Sequence, residues 1–219
     1  MYLSRLKIDL GDGAGMAVAA DAYSAHQFIY AAFVDAIAAR PLYRRESGMD
    51  GVAFIVQSKT APDWARAMGQ RRVKAQWSAK EYARPSLAKD ARFRFRLLAN
   101  VVKTMKSDKA PKPGNEPKRA RVPIMKDDAL LEWLDAEGAK HGFAIDSASI
   151  RGRDTIETRR HGIPEAKSII LASTLFEGAI SVVDPDQLWT AVELGLGHGK
   201  GFGLGLLSIA PIGQDASKP

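Results

Sequence analysis

ARFRFRLL, residues 91–98, alternates strictly between apolar and charged side chains. Successive side chains of a β-strand point to opposite faces of the sheet, so Phe93, Phe95 and Leu97 share one face and the arginines share the other. The pattern is typical of a strand in an antiparallel sheet that has one face against a core. We therefore expect a sheet with one buried face and one arginine-lined face.

The residues before this strand predict a strand, a helix and another strand. Residues 2–10 place apolar side chains at alternate positions. After a glycine turn at 11–15, residues 21–39 carry an apolar stripe at helical spacing, with Asp21 suited to cap the helix. Residues 52–56 form a short apolar strand. The first half of the chain is therefore predicted to be at least β-α-β-β.

Residues 103–122 are rich in Lys, Arg and Pro and have almost nothing to bury, so we interpret them as a basic linker or loop. Later patterns predict two helices and four strands, at residues 127–141, 143–150, 167–173, 178–183, 184–194 and 204–209. The predicted fold class is α+β, with antiparallel sheets in two tandem units of ferredoxin-like composition. We expect these units at 1–102 and 123–213.

Composition favours a polyanionic partner such as nucleic acid, or an anionic membrane surface, because the formal net charge is +7. The chain has no cysteine, and its four histidines form no HxxxH pair, so neither a metal site nor a cofactor is expected. The apolar run 168–183 is interrupted by Glu177 and is too short to cross a bilayer. We expect a cytoplasmic protein with no membrane partner.

Basic side chains mark the candidate contacts to a polyanion. Arginines about 7 Å apart along a strand suit successive phosphates, although a solvated sheet face is the alternative. A basic loop and a second basic cluster around a predicted hairpin add to this surface. The candidate residues are Arg92, Arg94, Arg96, Lys103, Lys118, Arg119, Arg121, Arg159, Arg160, Lys167 and Lys200.

A glycine-rich stretch, GLGHGKGFGLG at residues 195–205, lies between a predicted helix and the final strand. It satisfies neither GxGxxG nor the Walker pattern, so standard nucleotide cradling is excluded. Two interpretations stay open: a hairpin with packing glycines, or a loop whose backbone lets a phosphodiester chain approach. The residues concerned are Gly197, Gly199, Gly201, Gly203 and Gly205.

Tyr23 and His26 are three residues apart on a predicted helix, so their side chains can share a face near its N-terminus. A lone helical histidine is more often packing or surface than catalytic. Here, a neighbouring hydroxyl and a basic protein favour proton transfer, because histidine exchanges protons near neutral pH.

The chain resembles the Cas6e family (also called CasE or Cse3), the repeat-specific CRISPR RNA endonucleases of type I-E systems. The resemblance rests on MYLSRLKIDL, YSAHQFIYAAF, RPLYR, FRFRLLAN, WLDAEGAKHGF and GLGHGKGFGLGLLSIAP, which occur in order from one end of the chain to the other. The closing glycine loop together with Tyr-x-x-His is its most specific part.

The resemblance implies tandem ferredoxin-like, RRM-related domains that bind the stem-loop of a CRISPR repeat. It also implies one metal-independent cut at the 3′ base of the stem, which leaves a 2′,3′-cyclic phosphate, and retention of the product in the Cascade complex with other Cas proteins. His26 matches the catalytic histidine of the family and Tyr23 its partner, while the glycine loop with Lys200 matches an RNA-contacting loop. His198 replaces a residue that is often basic in the family, and Val101 one that is often proline.

Two other hypotheses compete with an endonuclease. A non-catalytic RNA-binding subunit would use the same basic surfaces, but the presence of Tyr23 and His26 favours the enzyme. A small-molecule α/β enzyme would need a cofactor fingerprint or a GxSxG motif, and the sequence contains neither.

Overall fold

The computed structural model of the chain describes residues 1–49, 51–106, 119–163 and 165–212. Its first unit has the element order β-α-β-β-α-β, with three consecutive helices in the first connection. These elements are β1 (Tyr2–Ile8), α1 (Gly13–Ala20), α2 (Ala22–Tyr30), α3 (Ala36–Ala39), β2 (Leu42–Gly48), β3 (Gly51–Ser58), α4 (Trp64–Arg71) and β4 (Ala75–Glu81). The strands form an antiparallel sheet in the order β2-β3-β1-β4.

Aspartates cap all four helices of this unit and set their boundaries. Asp21 accepts the backbone N–H of Ser24 at 2.7 Å, as its place before an apolar stripe predicted. The glycine turn predicted at 11–15 is confirmed only at its start: Gly11 lies in a turn, whereas residues 13–15 begin α1, which Asp12 caps. The helix predicted at 21–39 is also interrupted: α2 ends at Tyr30, and Asp35 caps the short helix α3.

The second unit repeats the same element order around its own sheet. Its elements are β5 (Arg92–Ala99), β6 (Val102–Lys106), β7 (Arg119–Pro123), α5 (Asp127–Lys140), β8 (Phe143–Thr158), β9 (Ile169–Val182), α6 (Pro185–Leu194) and β10 (Leu207–Pro211). The main sheet has the antiparallel order β10-β5-β9-β8, and β6 pairs with β7 in a separate ribbon. The α+β class with tandem ferredoxin-like units is confirmed.

The predicted division of the chain needs correction. Strand β5 was assigned to the unit 1–102, but it lies inside the second sheet between β10 and β9. Residues 103–122 are therefore not a linker between units, since both ends of this stretch belong to the β6–β7 ribbon inserted between β5 and α5. The sequence did not predict this pairing, because the ribbon is rich in basic residues and buries little apolar surface.

A single long strand, β9, replaces the two strands predicted at 167–173 and 178–183. Gly178, the first residue of the second predicted strand, is a packing position inside β9. A side chain there would collide with the carbonyl oxygen of Ser147, where β8 shifts register against β9. The glycine thus lets β8 bulge toward its neighbour while pairing continues to Thr158.

Each sheet buries its own apolar core. The first is built around Phe28, Phe54 and Trp64, and the second includes the predicted face of β5, with Phe95 and Leu97. None of the helices in the described ranges is long and apolar enough to cross a bilayer.

Buried polar contacts join the two units. Arg44 on β2 is 4% exposed, and its guanidinium donates to the hydroxyl of Ser208 at 3.1 Å and the carbonyl of Leu206 at 3.4 Å. The amide of Gln57 on β3 donates to the carbonyl of Val192 at 2.7 Å. Unpaired, these groups would each be costly to bury, so the contacts fix the units in one arrangement.

Candidate active site

Helix α2 and the glycine-rich loop, residues 195–206, meet at the seam between the two units. The Nδ1 atom of His26 lies 2.9 Å from the carbonyl oxygen of Gly201. The hydroxyl of Tyr43, on β2, donates to the same oxygen at 2.8 Å. Helix α2 buries Ala25, Phe28 and Ile29 against the first core, which leaves His26 beside the loop.

The contact with Gly201 determines which nitrogen of His26 is free. A carbonyl oxygen only accepts hydrogen bonds, so Nδ1 carries the proton and, in the neutral ring, Nε2 holds the lone pair. Burial lowers the pKa of His26; the bond to Gly201 opposes this effect, and the positive charge of Arg71 adds to it. The lowered pKa favours a neutral ring at pH 7, which can accept a proton at Nε2.

Aromatic side chains surround the His26 ring. The Tyr23 ring is stacked 6.0 Å away, with 23° between the ring planes. Tyr30 lies 4.0 Å away on the next turn of the helix, and Phe202 approaches from the loop at 6.0 Å. The structure therefore brings Tyr23 and His26 together as the sequence spacing predicted. The surrounding aromatic rings restrict movement of the imidazole.

The N-terminus of α2 is anchored to the end of β8. The Thr158 hydroxyl donates to Asp21 Oδ1 at 2.6 Å and accepts the backbone N–H of Tyr23 at 3.2 Å. Burial raises the pKa of Asp21, but hydrogen bonds from Thr158 and Ser24 together with the charge of His161 outweigh it and lower the pKa overall. Asp21 is therefore a carboxylate at neutral pH.

His161 is a site residue that sequence reasoning missed. Its Nε2 atom lies 3.3 Å from Asp21 Oδ2, and its ring meets the Tyr23 ring nearly edge-on, 5.2 Å between centroids. His161 and Tyr23 are far apart in the sequence. They meet because the pairing of β8 with β9 places the end of this hairpin beside α2. A run of basic residues, RRH at 159–161, was the available signal.

The glycine-rich loop is packed against the protein. Gly203 has φ +84°, and a Cβ there would lie 3.0 Å from the Tyr43 ring. Gly205 has φ +85°, and its Cβ would collide with the carbonyl oxygen of Leu196. Of the two interpretations left open by the sequence, packing accounts for these two glycines. Gly201 differs, because its Cβ would face His26 Nδ1 at 3.4 Å.

Lys200 precedes Gly201 in a single 3-10 turn, Lys200–Phe202, and is half-buried. Partial burial lowers the pKa of its ammonium, as does the positive charge of Arg40, while Glu137 opposes both. Lys200 and Arg40 are therefore close enough for their charges to interact, beside the loop that holds His26. Their positive charges favour binding of an anion there.

The predicted arginine row does line one face of the second sheet, but ion pairs occupy two of its members. Arg92 Nε lies 2.8 Å from Asp146, and Arg96 Nε lies 3.2 Å from Glu177, with Glu46 at 3.7 Å from another nitrogen. Arg94 is exposed and forms no ion pair within the described residues.

The remaining predicted basic residues that the structure describes lie on two hairpins. Lys103 and Arg121 are exposed on opposite faces of the β6–β7 ribbon, since Lys103 pairs with Val122 and Arg121 with Thr104. Arg119 begins β7, and Lys118 lies outside the described residues. Arg159, Arg160 and Lys167 are exposed in the β8–β9 connection that carries His161.

His198, which the sequence singled out, lies beside Asn100, the residue that precedes Val101. His198 is exposed and forms an isolated β-bridge with Asn100, whose side chain donates to the carbonyl of Ala172 at 2.6 Å. Within the described ranges, no group of three His, Asp or Glu side chains is placed to hold a metal ion.

Comparisons with known proteins give a consistent family. A family model described as CRISPR associated protein matches residues 1–211. CRISPR-associated endoribonuclease Cse3 of Thermus thermophilus is 30% identical over 226 residues, which span 96% of this chain and 100% of that protein. Cascade subunit CasE of Escherichia coli is 32% identical over 120 residues, 54% of this chain and 57% of that protein.

A solved structure extends the likeness to three dimensions. Thermus thermophilus Cse3 bound to an RNA representing a pre-cleavage complex superposes with a TM-score of 0.80 and 28% identity. The match covers 96% of this chain and 98% of that one.

Proposed function

This chain belongs to the family of CRISPR-associated proteins that includes Cse3 and CasE, and from that premise we propose that it is a CRISPR-repeat endoribonuclease. It binds the stem-loop of the repeat in a precursor RNA and cleaves once at the 3′ base of the stem. The observation that carries this proposal is the contact between His26 and Gly201, which leaves Nε2 of a neutral imidazole available beside Tyr23.

Cleavage requires only proton transfers around one phosphate. The 2′-oxygen attacks the adjacent phosphorus and loses its proton, the O2′–P bond forms and the P–O5′ bond breaks. The products are a 2′,3′-cyclic phosphate and a 5′-hydroxyl. In this scheme His26 transfers a proton and Tyr23 orients the scissile phosphate or the attacking hydroxyl. We propose that the reaction proceeds without a metal ion.

The basic surface around this site supports RNA binding. Arg159, Arg160 and Lys167 extend from the hairpin end that contacts Tyr23, and Lys200 adjoins His26 through the loop. The β6–β7 ribbon adds Lys103, Arg119 and Arg121 as proposed contacts, and Lys118, which precedes β7 in the sequence, is proposed with them. Cationic side chains on both sides of the site can hold the phosphates that flank a single bond, while RNA shape provides register.

The three arginines of the row are expected to contribute unequally to RNA binding. Arg94 is exposed and suited to a phosphate, whereas Arg92 and Arg96 must exchange a carboxylate partner before they can bind one. We therefore expect the affinity of this face to depend mainly on Arg94.

Retention of the product follows from the same surface. Many distributed phosphate contacts survive the loss of one phosphodiester bond, so cleaved RNA stays bound. We propose that the protein then joins other Cas subunits as a component of Cascade, the complex for which its relative CasE is named. The cytoplasm, where precursor RNA is transcribed, is the proposed location.

The test combines cleavage and binding of a labelled repeat RNA in EDTA. Wild type is compared with His26→Ala and with His141→Ala, a matched histidine that contacts Glu137 at the end of α5. We expect wild type and His141→Ala to cut at one site, and His26→Ala to bind equally well without cutting. Binding without cleavage by wild type would instead identify a non-catalytic RNA-binding subunit.

A further inference from the structure

Two imidazoles, His26 and His161, flank the Tyr23 ring. Their centroids lie 6.0 Å and 5.2 Å from that ring, and they come from elements far apart in the chain, helix α2 and the β8–β9 connection. The role proposed above uses only His26, although cyclisation of a ribose phosphate moves two protons. One leaves the 2′-oxygen, and one reaches the departing 5′-oxygen.

The two rings are held by chemically different partners. His26 donates from Nδ1 to a neutral carbonyl, and its position beside the first core is partly buried. His161 directs Nε2 at the Asp21 carboxylate, and its side chain is 48% exposed. The negative charge of Asp21 favours a proton on the nearer nitrogen, Nε2, which leaves Nδ1 for another partner. Each ring therefore has one committed nitrogen and one nitrogen for substrate.

We propose that His161 is the general acid of the cleavage reaction, held by Asp21, and that His26 is the general base. This inference rests on the proposed function. Nε2 of His161 faces the Asp21 carboxylate, so this exposed ring can donate a proton to substrate from Nδ1. The partly buried His26 ring is held through Nδ1 by a neutral carbonyl, so it can accept a proton at Nε2. The different partners of the two rings thus assign proton donation to His161 and proton acceptance to His26.

The proton balance is complete with these two groups. Nε2 of His26 takes the proton of the 2′-hydroxyl as the O2′–P bond forms. Nδ1 of the His161 imidazolium gives its proton to O5′ as the P–O5′ bond breaks. After the step His26 is cationic and His161 neutral, and exchange with solvent restores both. The exposed position of His161 permits this exchange.

The charged and titratable groups around His161 fit a donor at this position. Asp21 faces its Nε2 from the start of α2, and Tyr23 presents its ring from the same helix. Arg159 and Arg160 precede it in the chain and line a shallow concavity with it. Those guanidiniums can hold the phosphate whose 5′-oxygen departs, close to the proposed donor.

A modified RNA separates this role from a structural one. Replacement of the scissile 5′-oxygen by sulfur gives a thiolate leaving group, which departs without a proton because a thiol is a far stronger acid than an alcohol. We expect His161→Ala to slow cleavage of natural RNA by about 10²- to 10⁴-fold. With the sulfur-containing RNA, its rate should return to within about tenfold of wild type.

His26→Ala is the matched variant, and it should stay slow on both RNAs because its proton comes from the 2′-hydroxyl. If His161→Ala cuts natural RNA normally, or stays slow with the sulfur-containing RNA, the assignment is wrong. Rescue of His26→Ala by sulfur would likewise overturn it. Failure of wild type to cut natural RNA would reject the proposed function itself, which is a different result from any of these.

Discussion

His26 and Gly201 lie 175 residues apart in the sequence, yet the imidazole Nδ1 of one lies 2.9 Å from the carbonyl oxygen of the other. The bond joins the first unit to the closing loop of the second, so the proton-accepting atom is positioned only when both units are folded together. A ring held by a backbone carbonyl cannot exchange tautomers without losing the bond, which keeps Nε2 ready to accept a proton.

Gly201→Ala should slow cleavage while RNA binding is retained. A Cβ at this position would lie 3.4 Å from Nδ1 and 3.6 Å from Cε1 of His26, at the short limit of van der Waals contact, so the added methyl group crowds the ring in its bonded position. Small displacements of a positioned catalytic group are costly, and we expect a loss of about tenfold in the single-turnover rate. Gly69→Ala is the control, because a Cβ at Gly69 in α4 meets nothing within 4 Å. Equal rates for the two variants would contradict the positioning argument.

Gly203→Ala should lower stability. The residue has φ +84°, and an added Cβ would lie 3.0 Å from the Tyr43 ring. Backbone strain of this kind costs about 1–3 kcal/mol, and we expect a loss of that size in the free energy of unfolding in urea. Gly69→Ala again serves for comparison and should be neutral or slightly stabilising, since its position is helical and open. A Gly203→Ala protein as stable as wild type would show that the loop can relax.

Local patterns predicted the parts of this molecule that depend on near neighbours in sequence. The strand at 91–98, the cap at Asp21 and the shared face of Tyr23 and His26 all follow from spacing of a few residues. Sheet membership does not, because the partner strands of β5 begin at Ile169 and Leu207. This is why β5 was assigned to the wrong unit.

The candidate site shows the same division. Tyr23 and His26 were predicted from one helix, but His161 reaches them through the pairing of two long strands. The arginine face was also predicted, yet the ion pairs of Arg96 were not, since Glu46 and Glu177 come from β2 and β9. Partners that come from other elements have no local signature.

The pH dependence of cleavage should report the lowered pKa of His26. Burial and Arg71 both favour the neutral ring, so the base form persists below the ordinary histidine pKa of 6.5. The ascending limb of the single-turnover rate should therefore have its midpoint below pH 6.5. Arg71→Ala removes a positive charge that lowers this pKa, so the limb should move to higher pH at low ionic strength. Arg66→Ala, also on α4, is the matched control. A limb that moves to lower pH in Arg71→Ala would contradict this electrostatic account.

Asp21→Ala should affect both stability and cleavage, whereas Asp63→Ala should affect stability alone. Each aspartate caps a helix, with bonds of 2.7 Å to the Ser24 N–H and 2.9 Å to the Arg66 N–H, and loss of a cap costs about 1 kcal/mol. Only Asp21 also holds His161 and Thr158, so cleavage by Asp21→Ala should fall much further.

The pH dependence of stability provides an independent measurement on Asp21. Its pKa is lower in the folded protein than its ordinary value of 3.8, so its stabilising contribution is fully present above that value. It is lost as pH falls through the folded pKa. The difference in unfolding free energy between wild type and Asp21→Ala should therefore shrink in strong acid. A difference that grows on acidification would have the wrong sign.

Arg94→Ala should weaken RNA binding more than Arg96→Ala. Arg94 is exposed and has no carboxylate partner within the described ranges, while Arg96 lies between Glu46 and Glu177. A phosphate contact by Arg94 releases a counterion, so its loss should reduce the slope of log affinity against log salt by about 1. Arg96 must give up its carboxylates to do the same, and its substitution should leave the slope nearly unchanged. Titrations of an uncleaved repeat RNA across several salt concentrations, with His26→Ala as background, measure both slopes. Equal reductions would mean that the ion pairs open when RNA binds, and that the whole arginine row faces the phosphates.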